Sequence, residues 1–498
     1  MSISQHSSDT AQDVAVQRCD VCIVGAGIAG LNALFAASRY LSRDQRVILI
    51  DRRRRVGGMW VDTYPYVRLH QPHPMFTAGN IKWTLGKDPG YLATKGEVLD
   101  HFEHCLRLIK ERVQVDEYFG WDFQSHDEVD GVVRITCASP DGELRVIEAK
   151  RLIKAYGLRV TPNDPLQISS DRVHSVSPDY CDVRSGDIQA SDSPVWIIGG
   201  GKTAMDTAHT LITAYPGRKV YMVAGRGTFF NSRDRMFPSG SRRWWTGTPT
   251  LEMGAQLSRR FDGTNEAEVQ QWFRSKFGTC LTPDAANYVA GVLSEAENTT
   301  IANGLTDLVM DYFVDAVDRN GATEVTFRSG SSKTIEPGSW IVNCTGYLGV
   351  EDNRHPYEPY VSESGAVVSI QPRSATLHLS SFMGYFLTHL LFLDKLRVLP
   401  LYEVDLQDLR EKSSLVFPYA LFTLVGYNFG LMYESLPRAV FKDNGLDYDA
   451  WYPLPRRLPG LAKYALTQRR SRERARQALD TVRERFDVRC GPLAPKGG

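Results

Sequence analysis

One stretch decides the fold of this 498-residue chain: Val21-Cys22-Ile23-Val24-Gly25-Ala26-Gly27-Ile28-Ala29-Gly30. Four apolar residues that run directly into a G-x-G-x-x-G turn predict a buried parallel strand followed by a helix. Gly25 allows the tight turn, Gly27 lets a phosphate approach the backbone, and Gly30 lets the helix pack against the strand. Ile28 and Ala29 begin the helix, whose N-terminus stabilises phosphate charge. The stretch therefore predicts the start of a dinucleotide-binding βαβ unit.

A second strand and an acid complete this unit. The apolar run from Arg46 to Ile50 ends at Asp51, and Arg52 follows directly. A carboxylate at the end of the second strand can accept hydrogen bonds from ribose hydroxyls. Because strand, turn, helix, strand and acid occur in order, the signal is far more specific than a lone glycine motif. We count Asp51 and Arg52 as candidate cofactor-binding residues.

The same pattern occurs a second time, after the apolar strand from Val195 to Ile198. After the second strand of this copy, Lys219–Val223, there is no carboxylate but Ala224-Gly225-Arg226. An arginine there suits the 2′-phosphate of NADP, whereas a carboxylate would favour NAD. The candidate residues of this copy are Gly199, Gly201, Lys202, Thr203, Ala204 and Arg226. For Lys202, a solvated loop lysine is the alternative interpretation.

These two copies predict an α/β fold with two Rossmann-type domains and a helical C-terminal section. The boundaries we expect are a disordered tail over 1–17, a discontinuous first domain over 18–160 and 335–395, a second domain with a helical insertion over 161–334, and the helical section over 396–498. The return to the first domain at 335 rests on the apolar run Ser339-Trp340-Ile341-Val342.

Composition limits the classes of function. The chain has 58 basic and 58 acidic residues, so it has no net charge to attract nucleic acid, and it carries no nucleic-acid-binding motif. Eight scattered cysteines and a polar, non-secretory start predict a cytoplasmic protein. Cys19 and Cys22 form a C-x-x-C pair, for which we consider a redox role the weaker alternative. No metal site is predicted, and no signal indicates an oligomeric state.

Three segments raise the question of membrane contact. Ala375–Leu393 and Leu415–Tyr433 are long and uncharged, but their histidines, hydroxyls and helix-breaking residues favour buried helices over membrane spans. The basic stretch Arg469–Arg485 could touch an anionic membrane. A solvated helix face is favoured there, since apolar residues in it are few.

The residues after Asp51 add a family resemblance. Five residues separate Asp51 from Gly57-Gly58-Met59-Trp60, and this spacing resembles that of the class B flavin monooxygenases. Lys154-Ala155-Tyr156-Gly157 and Asn343-Cys344-Thr345-Gly346-Tyr347 resemble two further landmarks of that family. The resemblance implies FAD in the first domain and NADPH in the second. The cofactor-binding residues it adds are Gly58, Met59, Trp60, Arg68, Gly157, Thr345 and Gly346.

The resemblance also indicates catalytic candidates. Within Tyr64–Pro72, His70 falls where relatives have an asparagine or an aspartate near the flavin, with Gln71 as the alternative. A histidine there could act as a general acid or base or as a hydrogen-bond donor, although a structural histidine remains open. Either Arg233 or Arg235 could reach nicotinamide or substrate, and we take Arg235 as the candidate. A surface ion-pair cluster around Asp234 is the alternative.

The activity that the resemblance implies is oxygen insertion. NADPH would reduce FAD, reduced flavin would react with O2, and a C4a-(hydro)peroxyflavin would transfer one oxygen atom to a small organic substrate. The uncharged, aromatic-rich stretch Phe417–Tyr433 suggests that the substrate is apolar. Two alternatives stay open: an FAD-dependent NAD(P)H oxidoreductase without oxygen insertion, and a non-catalytic cofactor-binding protein.

Overall fold

The computed structural model describes residues 16–184, 187–346 and 354–493. Of the predicted tail, residues 1–15 lie outside this range, as does Tyr347. The tail prediction is wrong at its end, because Val16 and Gln17 already belong to the first strand, where Val16 pairs with Val146 and Gln17 with Ile147.

The first sheet contains the strand and helix predicted from the glycine-rich turn. Its order is β3-β2-β1-β6-β5-β4; β1 to β3 and β6 run parallel, and β4 to β6 form antiparallel hairpins. The elements are β1 (Val16–Val24), α1 (Ile28–Ala37), β2 (Arg46–Asp51), α2 (Met59–Asp62), α3 (Lys95–Lys110), β3 (Gln114–Phe119), β4 (Asp122–Val129), β5 (Val132–Ala138) and β6 (Leu144–Ala155).

Close packing explains why α1 follows β1 so tightly. A β-carbon on Gly30 would lie 1.7 Å from the carbonyl oxygen of Gly25, so only glycine lets the helix approach the turn. Gly25 itself has φ +100°, a conformation that side chains disfavour. Glycine at these two positions therefore brings the N-terminus of α1 close to the turn, and the turn and this N-terminus both line the site described below.

The second sheet is fully parallel, with order β13-β9-β8-β17-β7. Its domain comprises β7 (His174–Val176), β8 (Val195–Ile198), α4 (Lys202–Ala214), β9 (Val220–Val223), β10 (Thr228–Ser232), α5 (Arg233–Met236), α6 (Thr250–Arg260), α7 (Glu266–Phe277), β11 (Gly278–Cys280), β12 (Asn287–Leu293), α8 (Glu295–Gly304), β13 (Asp307–Val309), β14 (Phe313–Arg319), β15 (Ala322–Phe327), β16 (Ser332–Ile335) and β17 (Trp340–Asn343). The insertion predicted as helical also contains a three-stranded sheet of β10 to β12.

The boundary expected at 335 is wrong. Strand β17 pairs with β8 and β7 in the second sheet, with Ile341 opposite Trp196. The chain rejoins the first sheet only at β18 (Val367–Ile370), which pairs in parallel with the end of β6. An apolar four-residue run looks the same in either sheet, so the sequence could not assign β17 to its partner.

The C-terminal section is helical, as predicted. Helix α9 (Ser380–Phe392) comes before this section, within the range predicted for the first domain. The section itself contains β19 (Tyr402–Val404), α10 (Leu406–Lys412), α11 (Phe417–Ser435), α12 (Arg438–Lys442), α13 (Leu454–Phe486) and β20 (Cys490–Pro492). Helix α9 packs closely on α1, since a β-carbon on Gly384 would lie 2.2 Å from the carbonyl oxygen of Ala29. Among the described residues, no helix is long and apolar enough to cross a membrane. The α/β fold with two Rossmann-type domains and a helical C-terminal section is confirmed.

Candidate functional site

One large cavity lies between the first domain, the insertion and the C-terminal section. Its volume is about 1160 Å³, above the roughly 300–1,000 Å³ of typical ligand pockets. Thirteen of the candidates from the sequence line it: Gly25, Gly27, Ile28, Ala29, Asp51, Arg52, Gly58, Met59, Trp60, Arg68, His70, Gln71 and Gly157. The cavity is therefore larger than a typical pocket for one small molecule.

Two glycine turns meet backbone to backbone at the cavity wall. The amide of Gly57 donates a hydrogen bond to the carbonyl of Ala26 at 3.0 Å. A β-carbon on Gly27 would lie 3.3 Å from the Cα of Gly58, and one on Gly58 would lie 2.7 Å from the Cα of Gly27. The turns therefore leave no space for a side chain, and they expose backbone and the start of α1 to the cavity.

Asp51 is tied to the first of these turns. One oxygen of its buried carboxylate accepts a hydrogen bond from the amide of Ala26 at 2.7 Å, and the other accepts one from the amide of Arg53 at 2.8 Å. An ionised carboxylate has about four acceptor positions, so two remain for a ligand. Asp51 thus holds the turn in place and still faces the cavity.

An aromatic group that we did not predict lines the cavity beside Asp51 and Arg52. Trp121, Phe123, Tyr156 and His355 contribute to the wall, and the rings of Tyr156 and His355 stack with centroids 5.4 Å apart. His355 lies about two hundred residues away from the others in sequence, so no local pattern could join it to them. Flat rings at this end suit a planar base.

His70 lies where the first domain meets the second. Burial, together with the positive charges of Lys202 and Arg233, holds the pKa of His70 well below its usual range. The carbonyl of His70 accepts a hydrogen bond from Nε of Arg233 at 2.7 Å. At neutral pH the imidazole is therefore uncharged, with one N–H donor and one acceptor nitrogen.

Arg233 is held in place by Glu297, which lies in the first turn of α8. Nη1 of Arg233 lies 2.9 Å from Oε2 of Glu297, which also accepts hydrogen bonds from the amide and hydroxyl of Ser294 at the start of α8. Burial alone would raise the pKa of Glu297, but Arg233, Lys202 and Ser294 lower it to about 2. Glu297 is thus ionised throughout the physiological range and fixes the guanidinium beside His70.

The structure does not bring Arg235 into the site. Arg235 is partly exposed and donates to the carbonyls of Ser275 and Lys276, with Glu295 3.7 Å away. Residues two apart on a helical turn point to different sides, so only one of the two arginines can face His70. The arginine in contact with His70 is Arg233, although neither arginine lines the cavity, and our choice of Arg235 is corrected accordingly.

The second glycine turn forms its own surface, outside the wall of this cavity. A β-carbon on Gly201 would meet no atom within 4 Å, which leaves the backbone open at the start of α4. A β-carbon on Gly199 would lie 2.2 Å from the carbonyl oxygen of Cys344, so the segment before Thr345 and Gly346 packs against this turn. Thr345 and Gly346 therefore lie beside the second glycine turn, in the second domain.

The charged residues of this turn differ in their surroundings. Lys202 is largely buried and forms an ion pair with Asp206, whose other oxygen accepts a hydrogen bond from the hydroxyl of Tyr64 at 2.8 Å. The alternative of a solvated loop lysine is thus wrong for Lys202. Arg226 is exposed just after β9, where Nη2 donates to Oδ1 of Asn287 at 3.2 Å. Thr203 and Ala204 are buried in the first turn of α4.

The opposite wall of the cavity comes from the C-terminal section and is apolar. Its side chains include Leu421, Phe422, Val425, Phe429 and Tyr433 of α11. His378, Ser380 and Ser381 line the cavity at the start of α9, and burial lowers the pKa of His378 to about 4. Sequence reasoning missed these α9 residues, although the uncharged stretch Ala375–Leu393 contained them.

Cysteines do not contribute to this wall in the part of the chain that the structure describes. Cys19 and Cys22 lie buried on β1; burial raises the pKa of Cys19 to about 12 and also raises that of Cys22. Within 16–184, 187–346 and 354–493, His, Cys, Asp and Glu form no group of three that could hold a metal ion.

The fold and this site define a class: α/β proteins whose two Rossmann-type domains form a flavin- and nicotinamide-nucleotide-binding fold. More particularly, residues 19–242 match the family model described as pyridine nucleotide-disulphide oxidoreductase. The chain is also similar to uncharacterized proteins of Mycobacterium tuberculosis and Mycobacterium bovis, with 28% identity over 212 residues, 39% of this chain and 36% of theirs. The matching region thus spans about a third of these relatives.

Solved structures with a similar arrangement include three enzymes. Ornithine N-hydroxylase from Kutzneria sp. 744 has 14% identity and a TM-score of 0.47, over 76% of this chain and 99% of that one. A cyclohexanone monooxygenase has 11% identity and a TM-score of 0.48, over 84% of this chain and 98% of that one. The bacillithiol disulfide reductase of Staphylococcus aureus has 13% identity and a TM-score of 0.45, over 76% of this chain and 98% of that one.

Proposed function

We propose that this chain is an NADPH-dependent FAD monooxygenase that inserts one oxygen atom from O2 into a small apolar organic substrate. The observation that carries the proposal is the shared cavity, in which the first glycine turn, His70 and the apolar wall of α11 face one another. An oxidation at a flavin requires cofactor and substrate in one enclosed space.

The residues present fit FAD in the first domain. The backbone at Gly27 is open to the cavity, so a pyrophosphate can approach it and the N-terminus of α1. Asp51 has acceptor positions left for ribose hydroxyls, and the rings around Tyr156 suit the adenine. Bound FAD would supply the redox and oxygen chemistry; the protein supplies orientation and a dry cavity.

The second domain fits NADPH. Gly201 leaves the start of α4 open for a pyrophosphate, and the exposed guanidinium of Arg226 stands at the end of β9. A guanidinium can bind the 2′-phosphate with two parallel hydrogen bonds, which a hydroxyl cannot match. The preference for NADPH over NADH therefore rests on Arg226.

His70 has the properties of a hydrogen-bond donor close to the reacting atoms. Its imidazole is neutral, faces the cavity and is held through its backbone by Arg233. A neutral N–H can stabilise a developing negative charge on oxygen without the desolvation cost of a buried cation. Gln71, also on the cavity wall, is the alternative donor.

The main rival is an NAD(P)H-dependent reductase or oxidase that inserts no oxygen. Its disulfide-reducing form needs a cysteine pair near the flavin, and the described wall of the cavity has none. The apolar wall of α11 favours an organic substrate in direct contact with the cofactor. A second rival, a protein that binds cofactors without turnover, would be indicated by a purified protein that consumes no NADPH with any substrate.

The decisive experiment follows oxygen atoms. Purified protein that contains stoichiometric FAD is given NADPH and a panel of apolar ketones, sulfides, amines and hydrocarbons, and NADPH consumption identifies the substrate. The reaction is then run under labelled O2. One labelled oxygen atom per product molecule supports the proposal, whereas substrate-stimulated NADPH consumption with label only in water or hydrogen peroxide overturns it.

A further inference from the structure

The first half of α13 carries an exposed apolar face. Leu454, Leu458 and Leu466 are 59%, 54% and 87% exposed, and Leu461 and Ala462 are also exposed. Positions 454, 458, 462 and 466 recur at helical spacing, so they form one stripe along the helix. We call Leu454, Leu458, Ala462 and Leu466 the α13 stripe.

Two exposed tryptophans lie next to the start of this stripe. Trp244 and Trp245 are 43% and 79% exposed. Arg456, in the first turn of α13, donates from Nη1 to the carbonyl of Arg243 at 3.2 Å and from Nη2 to the carbonyl of Gly247 at 3.2 Å. These bonds hold the residues on either side of the tryptophans against the start of α13, so the tryptophans lie beside the first turn of this helix.

Basic residues border the α13 stripe. The segment from Leu454 to Arg472 contains five arginines and one lysine and no acidic residue. Lys463, Arg469 and Arg470 are exposed on the helix. A stripe of leucines beside tryptophans and a lysine- and arginine-rich flank is the composition of helices that lie in a bilayer interface. Six cations without an acidic residue would repel a second copy of the same surface, whereas they attract acidic headgroups.

We propose that the α13 stripe, with Trp244 and Trp245, binds the surface of an anionic lipid bilayer. The leucines and tryptophans enter the headgroup boundary, and Lys463, Arg469 and Arg470 contact acidic headgroups. The contact is peripheral, because no described helix is suited to cross a membrane. The sequence had favoured a solvated face for Arg469–Arg485, but the apolar part of the surface lies before it.

The other side of the same helix belongs to the cavity. Gly460, Leu461, Tyr464 and Thr467 line it. A bilayer on the α13 stripe would therefore lie one helix diameter from the cavity, where an apolar molecule dissolved in lipid is concentrated. This last consequence rests on the proposed function, whereas the binding of lipid does not.

The test is flotation of the FAD-loaded protein with vesicles, without NADPH or substrate. Vesicles of phosphatidylcholine are compared with vesicles of phosphatidylcholine and phosphatidylserine. The double variant Leu458→Ser with Leu466→Ser removes the apolar part, and Lys463→Glu with Arg470→Glu reverses two charges. Val314→Ser is the matched control, since Val314 is 58% exposed on β14 of the second domain.

We expect wild type and Val314→Ser to float with the phosphatidylserine vesicles. Loss of both leucines should weaken binding at least about tenfold, given the transfer energy of a leucine side chain. Charge reversal should abolish the preference for phosphatidylserine. No flotation of the wild type, equal flotation of the leucine variant, or a wild-type mass that doubles with concentration and falls in that variant would overturn the proposal. In the last case a second copy covers the face.

Discussion

Nε of Arg233 donates a hydrogen bond to the carbonyl oxygen of His70 at 2.7 Å, which joins the insertion of the second domain to the cavity wall of the first. The same guanidinium lies 2.9 Å from Glu297. His70 thus takes its position from one neighbour and its low pKa from burial and two cations, Lys202 and Arg233. This contact leads to the first two predictions.

Arg233→Ala should raise the pKa of His70, because a nearby positive charge is lost and Glu297 loses its partner. The acid limb of the pH–rate profile should move to higher pH, and stability should fall by on the order of 2 kcal/mol. Arg233→Lys keeps the charge and should keep the profile near that of the wild type. Arg235→Ala is the control, and an equal shift in that variant would refute the assignment.

His70→Ala should leave reduction of FAD by NADPH nearly unchanged but divert oxygen to hydrogen peroxide. If the imidazole N–H stabilises charge on oxygen, product formed per NADPH consumed should fall about tenfold or more. Stopped-flow absorbance measures the reduction, and a peroxidase-coupled assay measures the peroxide. Gln71→Ala is the comparison: an effect confined to that variant would transfer the role to Gln71.

Gly27→Ala should cost most of the bound FAD. The added methyl group would point at Gly58, 3.3 Å from its Cα, and would fill the place where a pyrophosphate approaches the backbone. The ratio of flavin absorbance to protein absorbance after purification measures the loss. Gly96→Ala, at a helical position with no atom within 4 Å of the new β-carbon, is the control. Full FAD content in Gly27→Ala would place the flavin elsewhere.

Arg226→Ala should remove much of the preference for NADPH. A charge-assisted contact to phosphate contributes about 1.5–3 kcal/mol, which corresponds to about ten- to hundredfold in kcat/KM. The rate with NADH should hardly change. Arg319→Ala, which removes an exposed arginine from the β14–β15 hairpin, should leave both cofactors unaffected. A wild-type enzyme that uses NADH better than NADPH would contradict this prediction.

Buried histidines should make the fold sensitive to mild acid. Burial lowers the pKa of His378 and His389 to about 4 and that of His101 to about 3. Their pKa values in the folded protein lie below the unfolded value of 6.5. The free energy of unfolding is therefore unaffected by these histidines above pH 6.5, and it falls as the pH drops toward 4. Between pH 6 and 5, each of these histidines should lower the free energy of unfolding by about 1.4 kcal/mol per pH unit. Urea unfolding of wild type and His389→Gln measures this, and the variant should have the smaller slope.

The sequence carried enough to predict both glycine turns, because each is a local pattern with a strand before it and a helix after it. Arg226 and Asp51 followed from their places at strand ends. The β17 assignment failed, since strand pairing depends on residues distant in the chain. The arginine beside His70 could not be chosen either, because the direction of a short helix such as α5 is set by its packing. The apolar wall and the place of His378 could not be predicted, because only the folded chain brings α9 and α11 to the first glycine turn.

Strand β18 has a consequence for how the chain is made. The second sheet has all of its strands once residue 343 has been synthesised, since it runs from β7 to β17. The first sheet has to wait for Val367–Ile370 to pair with β6, and the wall of its cavity waits for α13. Domains fold as units while the chain leaves the ribosome. The sheet that begins first is therefore completed last, and a flavin can be enclosed only after the chain through α13 has emerged.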